Sequence, residues 1–168
     1  MAKLVTVDAI GVRGELRLVL WHGNVQDDEA MACLNGVWRS RRMVLDITLP
    51  NLVTNVGRAL VASLGTASGG TAYSHMAVGT TVITPAATDT TLTGETFRKA
   101  CSTVATLSSY TMRFVCNYTT SDFNATVRGF GLFDAATNGN MGAIVSANVT
   151  KDASHSLVAE WRWLVTAS

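Results

Sequence analysis

The side chains able to do chemistry are few and scattered. The histidines number 3, His22, His75 and His155, each on or beside a predicted strand and far apart in sequence. They form no H-E-x-x-H or comparable zinc-binding pair. No G-x-S-x-G elbow is present, so no serine is marked as a nucleophile. A fold could still bring a serine, a histidine and an aspartate together, but in a chain this rich in Ser and Thr that possibility carries little information. The stretch "GTASGGT" (65–71) is glycine-rich, yet it lacks the Lys-Ser/Thr of a phosphate loop and follows a predicted helix instead of opening one. It reads as a spacer. "RGFG" (128–131) resembles only a fragment of an RNA-binding sheet motif, and Gly129 and Gly131 fit a bulge or a close backbone approach better. Trp161 and Trp163 share one face of a predicted strand; they read as core, with stacking on sugars or bases as the alternative.

The cysteines number 3, with no metal-like spacing. Cys101 and Cys116 would stand opposite each other if Ser108-Ser109 made a two-residue turn. They read as small buried hydrophobes, or alternatively as a cross-strand disulfide formed in an oxidising medium. No cofactor or metal site is expected. Asn117, Asn124 and Asn148 begin N-x-T triplets, which are expected by chance in so threonine-rich a chain.

The elements that must position these residues are mostly strands. Charged residues make up only 15% of the 168, against roughly a quarter in ordinary soluble domains. Such a chain buries much of its surface, in a core or against copies of itself. The net charge of +1 gives no pull toward nucleic acid or membrane, and no apolar run or signal-like segment predicts a membrane helix or secretion. Period-two alternation is clear in 14–21, 42–49, 110–118 and 155–166. In 155–166, Leu157, Ala159, Trp161, Trp163 and Val165 share a face; Glu160 and Arg162 fall on the other and read as solvated or interfacial. Strands are also predicted near 2–8, 73–78, 95–106, 125–133 and 141–149, with a hairpin joining 95–106 to 110–118. Asn138-Gly139 suits two positive φ angles.

One helix is predicted over about 52–64, from the four-residue spacing of Leu52, Val56, Leu60 and Leu64. Asn51, Thr54 or Asn55 is its N-cap, Gly65 its C-terminal stop, and Gly57 a site of close packing against a sheet. The fold class is thus mainly β, an antiparallel sandwich or jelly-roll-like barrel with one short helix. Residues 1–50 are expected to form a β-hairpin or docking arm packed on a β-sandwich of 51–168.

Two segments are left as candidates for assembly. "GTTVITPAATDTTL" (79–92) is too long for a hairpin turn, and Pro85 bars a central-strand ladder. It is expected to run extended along the sheet edge or onto a neighbouring subunit, through Thr80, Val82, Ile83, Pro85, Asp89 and Leu92, with Asp89 capping a turn. The acidic Asp27, Asp28 and Glu29 and the basic Arg39, Arg41 and Arg42 read as solvated strand ends of opposite sign, or as complementary interface charges between subunits.

The order of these features carries a resemblance. "NLVTNVGRALVASL" is followed by "YSHMAVGTT", "TPAATDTTLTGETFRKA", a hairpin, and then "VRGFGLFDAATNGNMGAIVSANVTKDASHSLVAEWRWLV". Over roughly residues 51–168 this resembles a family of small tailed-bacteriophage virion proteins. Their skeleton is an N-L-[IV]-T-N-x-G-[RK] helix, an AVGTG…P…TDT-x-L…E…R segment, a GLF…GN/GG…A hairpin and a final W-x-[IVL] strand. The chain has VGTT where the skeleton has VGTG. The resemblance implies a non-enzymatic, oligomeric, all-β building block of a virion, made in the host cytoplasm. Its partners would be copies of itself, a trimer being the expectation, and virion proteins such as the major capsid protein or tail and fibre proteins. Capsid decoration (cement) is the leading role; a tail, baseplate or fibre adaptor is the alternative. A carbohydrate- or receptor-binding sandwich, with Trp21, Trp38, Trp161 or Trp163 as exposed platforms, is a further one.

Overall fold

The computed structural model describes residues 10–36, 42–64, 71–108 and 110–167. The predicted strand near 2–8, Trp38, Arg39, Arg41 and Gly65 lie outside them. Nine antiparallel strands and two short helices follow in the order β1 (Ile10–His22), α1 (Asp27–Leu34), β2 (Met43–Val53), α2 (Asn55–Leu64), β3 (His75–Gly79), β4 (Glu95–Ala100), β5 (Thr103–Ser108), β6 (Thr111–Tyr118), β7 (Ala125–Phe133), β8 (Met141–Lys151) and β9 (His155–Ala167). The expected mainly antiparallel β class is what the chain adopts.

The strands form one curled sheet, ordered β4-β3-β7-β8-β2-β1-β9-β6-β5. Residues 10–53 therefore supply its middle. β2 joins two halves: along Met43–Asn51 it pairs with β1, and then only Leu52 and Val53 pair with Ile144 and Ala143 of β8. That short junction lets the halves fold toward each other around one core. Leu16, Leu18 and Leu20 of β1, Phe114, Cys116 and Tyr118 of β6, and Leu157, Ala159, Trp161 and Trp163 of β9 face Met76, Val78, Val127, Phe130, Leu132, Val145 and Val149 of the other half. The period-two faces read from 110–118 and 155–166 are the ones that supply this core. Tyr118 Oη donates to Met76 O across the two halves at 3.0 Å.

The sheet's two edge strands, β4 and β5, are consecutive in sequence. The single strand expected over 95–106 is therefore two, and the hairpin expected with 110–118 involves only β5. The chain leaves the first half where Cys101 N donates to Ser74 O, crosses at Cys101-Ser102, and starts pairing in the other half with Thr103 opposite Val115. β-Propensity runs unbroken through 95–106 and does not mark that crossing. The turn is also shifted: Ser108 lies opposite Thr111 after a bulge at Leu107, so Cys101 stands outside the ladder.

α2 starts at Asn55, later than expected, because Leu52 and Val53 are held by β8. Thr54 is the cap. Its hydroxyl accepts from Gly57 N at 3.1 Å and donates to Met141 O at 2.6 Å, so one buried side chain both starts the helix and ties it to β8. Gly57 is the close-packing site that the sequence suggested: a Cβ there would stand 2.1 Å from Gly142 O. Gly57→Ala is thus expected to destabilise the protein by about 1–3 kcal/mol, although alanine favours a helix by about 1 kcal/mol over glycine. Denaturant unfolding checks this, and a stabilised variant would contradict the packing.

The second helix, α1, corrects the reading of Asp27-Asp28-Glu29 as a strand end. The three carboxylates occupy its first turn, where the helix dipole favours negative charge. Ala30, Cys33 and Leu34, at one helical face, cover Val19, Trp21, Val115 and Val158 on the outside of the sheet.

Candidate assembly surface

Residues 80–94 form neither helix nor strand. They make a strap across the outer face of the half-sheet holding β3, β7 and β8, which corrects the expected path along an edge or onto a neighbour. The strap is closed at its ends and pinned at its middle. Thr80 N donates to Gly94 O at 3.1 Å, and Asn55 N, at the start of α2, donates to Ala87 O at 2.7 Å. Side chains alternate between these anchors: Ile83, Pro85, Ala87 and Asp89 are half-buried, while Val82, Thr84, Ala86 and Thr88 are exposed. Leu92 is buried with Ala77, Phe133, Met141 and Ile144, and Ile83 packs against the same cluster. Gly129 makes room for the strap, since a Cβ there would lie 2.5 Å from Ile83 Cδ1. The glycines of "RGFG" thus make room for side chains, not for another backbone, and the bulge offered as the alternative lies between Val127 and Gly129.

Asp89 caps a turn as expected: its Oδ2 accepts from Ala86 N at 2.8 Å, and its own N–H donates to Ala86 O at 3.0 Å. The chain rejoins the sheet at Glu95. Arg98 clamps that point, bonding both Glu95 carboxylate oxygens and the carbonyls of Ala135 and Asn138 while lying 3.5 Å above the Phe133 ring. Of the six strap residues singled out, only Thr80 and the 74% exposed Val82 lie open at the surface; Leu92 is part of the core.

The charged candidates among the described residues are joined within the chain. Arg42 Nη2 donates to both oxygens of Glu29, at 2.6 and 2.7 Å. Asp27 Oδ1 accepts from Asn117 Nδ2 at 3.0 Å, and Asp28 Oδ1 from Glu29 N at 2.9 Å.

The outer face also holds a buried ionic cluster. Glu160 was read as solvated or interfacial, yet its side chain is 0% exposed. Arg113, at 2%, meets it through Nε at 2.6 Å, and Arg162 Nε adds a bond at 2.9 Å. Arg113 Nη1 donates to Asn35 Oδ1, just past α1. Burial pushes the Arg113 guanidinium down from its ordinary pKa and the Glu160 charge opposes that. Alternation assigned the face correctly but could not show that Arg113, Arg162 and Asn35 gather there.

Trp21, Trp161 and Trp163 are all buried, so none is a stacking platform. Asp152, Ser154 and His155 do meet, at the turn between β8 and β9. Ser154 Oγ and Asp152 Oδ1 both approach His155 Nδ1, at 3.1 and 2.6 Å. A catalytic triad needs them on opposite ring nitrogens. Asp152 Oδ1 also accepts from Ser154 N and Oγ, which makes the cluster a turn cap. Among the described residues, no group of three or more His, Cys, Asp or Glu is placed to hold a metal ion. No described helix is long and apolar enough to cross a membrane.

The two edges of the sheet differ. β4 carries Glu95, Arg98 and Lys99, held in ion pairs with one another or with Asp122. β5, "TVATLS", carries no charge and no proline. Five of its six residues are exposed, including Val104 and Leu107, and the 67% exposed Tyr110 and exposed Leu164 lie at its far end. Tyr110 O accepts from Val165 N, which places these last two together. The sequence signal was the run of thirteen uncharged residues from Ala100 to Met112, but only the sheet order shows it to be an edge. No protein family, curated protein or solved structure compared with the chain matches it.

Proposed function

We propose that this chain is a non-enzymatic structural protein of a tailed-bacteriophage virion, a capsid decoration subunit that works as a homo-oligomer. The observation that carries the reading is the open edge at β5. An edge strand presents unpaired N–H and C=O groups, and proteins ordinarily guard it with charge or proline. β4 is guarded by charge; β5, apart from its bulge, is not. A subunit with one guarded and one open edge is suited to docking the open one on a neighbour. The resemblance over 51–168 and the low charge content support the virion assignment. The role would be to add buried area, about 1,200 Å² or more per stable contact, across the junctions of capsid subunits. A closed trimer is the proposed state, because a ring satisfies every subunit's edge and matches local lattice symmetry.

Light scattering on a sizing column tests the oligomer. The wild type is expected to elute as a trimer. Ala105→Lys, at an exposed edge position, is expected to elute as a monomer with stability changed by no more than about 0.5 kcal/mol. A wild-type monomer, or a variant that assembles unchanged, would overturn the role given to β5.

A further inference from the structure

The crossing between the two sheet edges holds a thiol pair. Cys116 Sγ, on β6, lies 3.4 Å from Ala100 O and 3.5 Å from Lys99 O, against the peptide that leads into Cys101. Cys101 packs on the core cluster to which Cys116 belongs, and the two thiols are close enough to shift each other's pKa. Cys116 is fully buried, whereas Cys101 is partly exposed. Cys33 is in a different cluster, under α1 on the outer face.

We propose that Cys101 and Cys116 are a modification site: they form a disulfide on meeting a disulfide oxidant, closing the crossing covalently. The step is an ordinary thiol–disulfide exchange. Cys101, the accessible thiol, loses its proton to solvent and attacks one sulfur of oxidised glutathione, releasing one glutathione. Cys116 then loses its proton and attacks the Cys101 sulfur of the mixed disulfide, releasing the second. Two protein thiols and one oxidised glutathione give one protein disulfide and two reduced glutathiones. The neighbouring Cys116 and then burial raise the Cys101 pKa, so the first attack is the slow one. The bond would tie β6 to the link between β4 and β5, at the one place where the chain passes from edge to edge. It holds for the chain whatever particle or partner it serves.

The test is to incubate the folded protein with oxidised glutathione, and separately to refold it through a glutathione redox buffer, which removes any limit of access. Alkylation in denaturant, proteolysis and mass spectrometry then locate the bond. The expected result is a mass lower by two hydrogens, a 101–116 cross-linked peptide, an alkylated Cys33, and a Tm higher than that of the reduced protein by roughly 6–12 °C. Cys33→Ser is expected to behave identically. Three alkylated cysteines after both treatments would overturn the proposal, as would a bond that includes Cys33.

Discussion

Arg113→Met is expected to destabilise the protein by about 3–5 kcal/mol, because it leaves the fully buried Glu160 carboxylate without its closest cation. In a chain of this size that lowers Tm by roughly 6–20 °C. The ion pair itself is not expected to be a net source of stability. Both ions lose water on burial, and Arg113 Nη2 and Glu160 Oε2 find no hydrogen-bond partner among the described residues. Arg113→Met combined with Glu160→Met is therefore expected to recover most of the loss, with Arg162 retaining the Glu15 carboxylate 3.8 Å away. Denaturant unfolding of the two single variants and the double gives the coupling directly. Equal, additive losses would mean that the cluster is not a unit. The pair instead joins β6 to β9 and, through Asn35, the end of α1 to the sheet.

Trp163→Ala is the second large effect, an expected loss of about 3–5 kcal/mol. The indole is buried between the halves. Its ring meets Phe114 of β6 edge-on at 5.8 Å and Tyr73, just before β3, at 5.2 Å. Each aromatic contact adds about 0.5–1.5 kcal/mol beyond area burial. Removing it opens a cavity where the two halves of the sheet face each other, which the flanking strands are too firmly paired to collapse. Thermal unfolding checks the size of the loss; a change under about 1 kcal/mol would mean that the halves do not share this core. Burial also decides what such a variant can say about carbohydrate binding: loss of a signal in Trp161→Ala or Trp163→Ala would report damage to the fold.

Local periodicity carried the sequence reading as far as local rules reach. β1, β6 and β9 were legible, down to which residues face the main core, because the apolar alternation there matches the side turned to it. Thr54 and Gly57 were legible for the same reason: a cap and a small helical residue have local causes. What failed had non-local causes. What Glu160 meets depends on Arg113, which β6 brings beside it. Where 95–106 breaks depends on Ser74 and on the partner strands, and propensity records neither. α1 was present as an acidic turn followed by Ala30, Cys33 and Leu34, a signal that a single eight-residue helix makes faint. The strap was foreseen as extended and capped at Asp89. That it lies over its own sheet follows from Gly129, whose missing side chain admits Ile83. This leaves the uncharged β5 edge, not the strap's apolar residues, as the larger open surface for assembly.

The central claim, a decoration subunit of a virion head, is tested most directly by the copy number of this chain on purified particles and on tailless heads, measured by quantitative gel or mass spectrometry. The account predicts hundreds of copies, retained when tails are absent. A few copies that fractionate with tails would contradict the decoration role and place the chain in a tail, baseplate or fibre. Absence from particles altogether would contradict the virion reading itself.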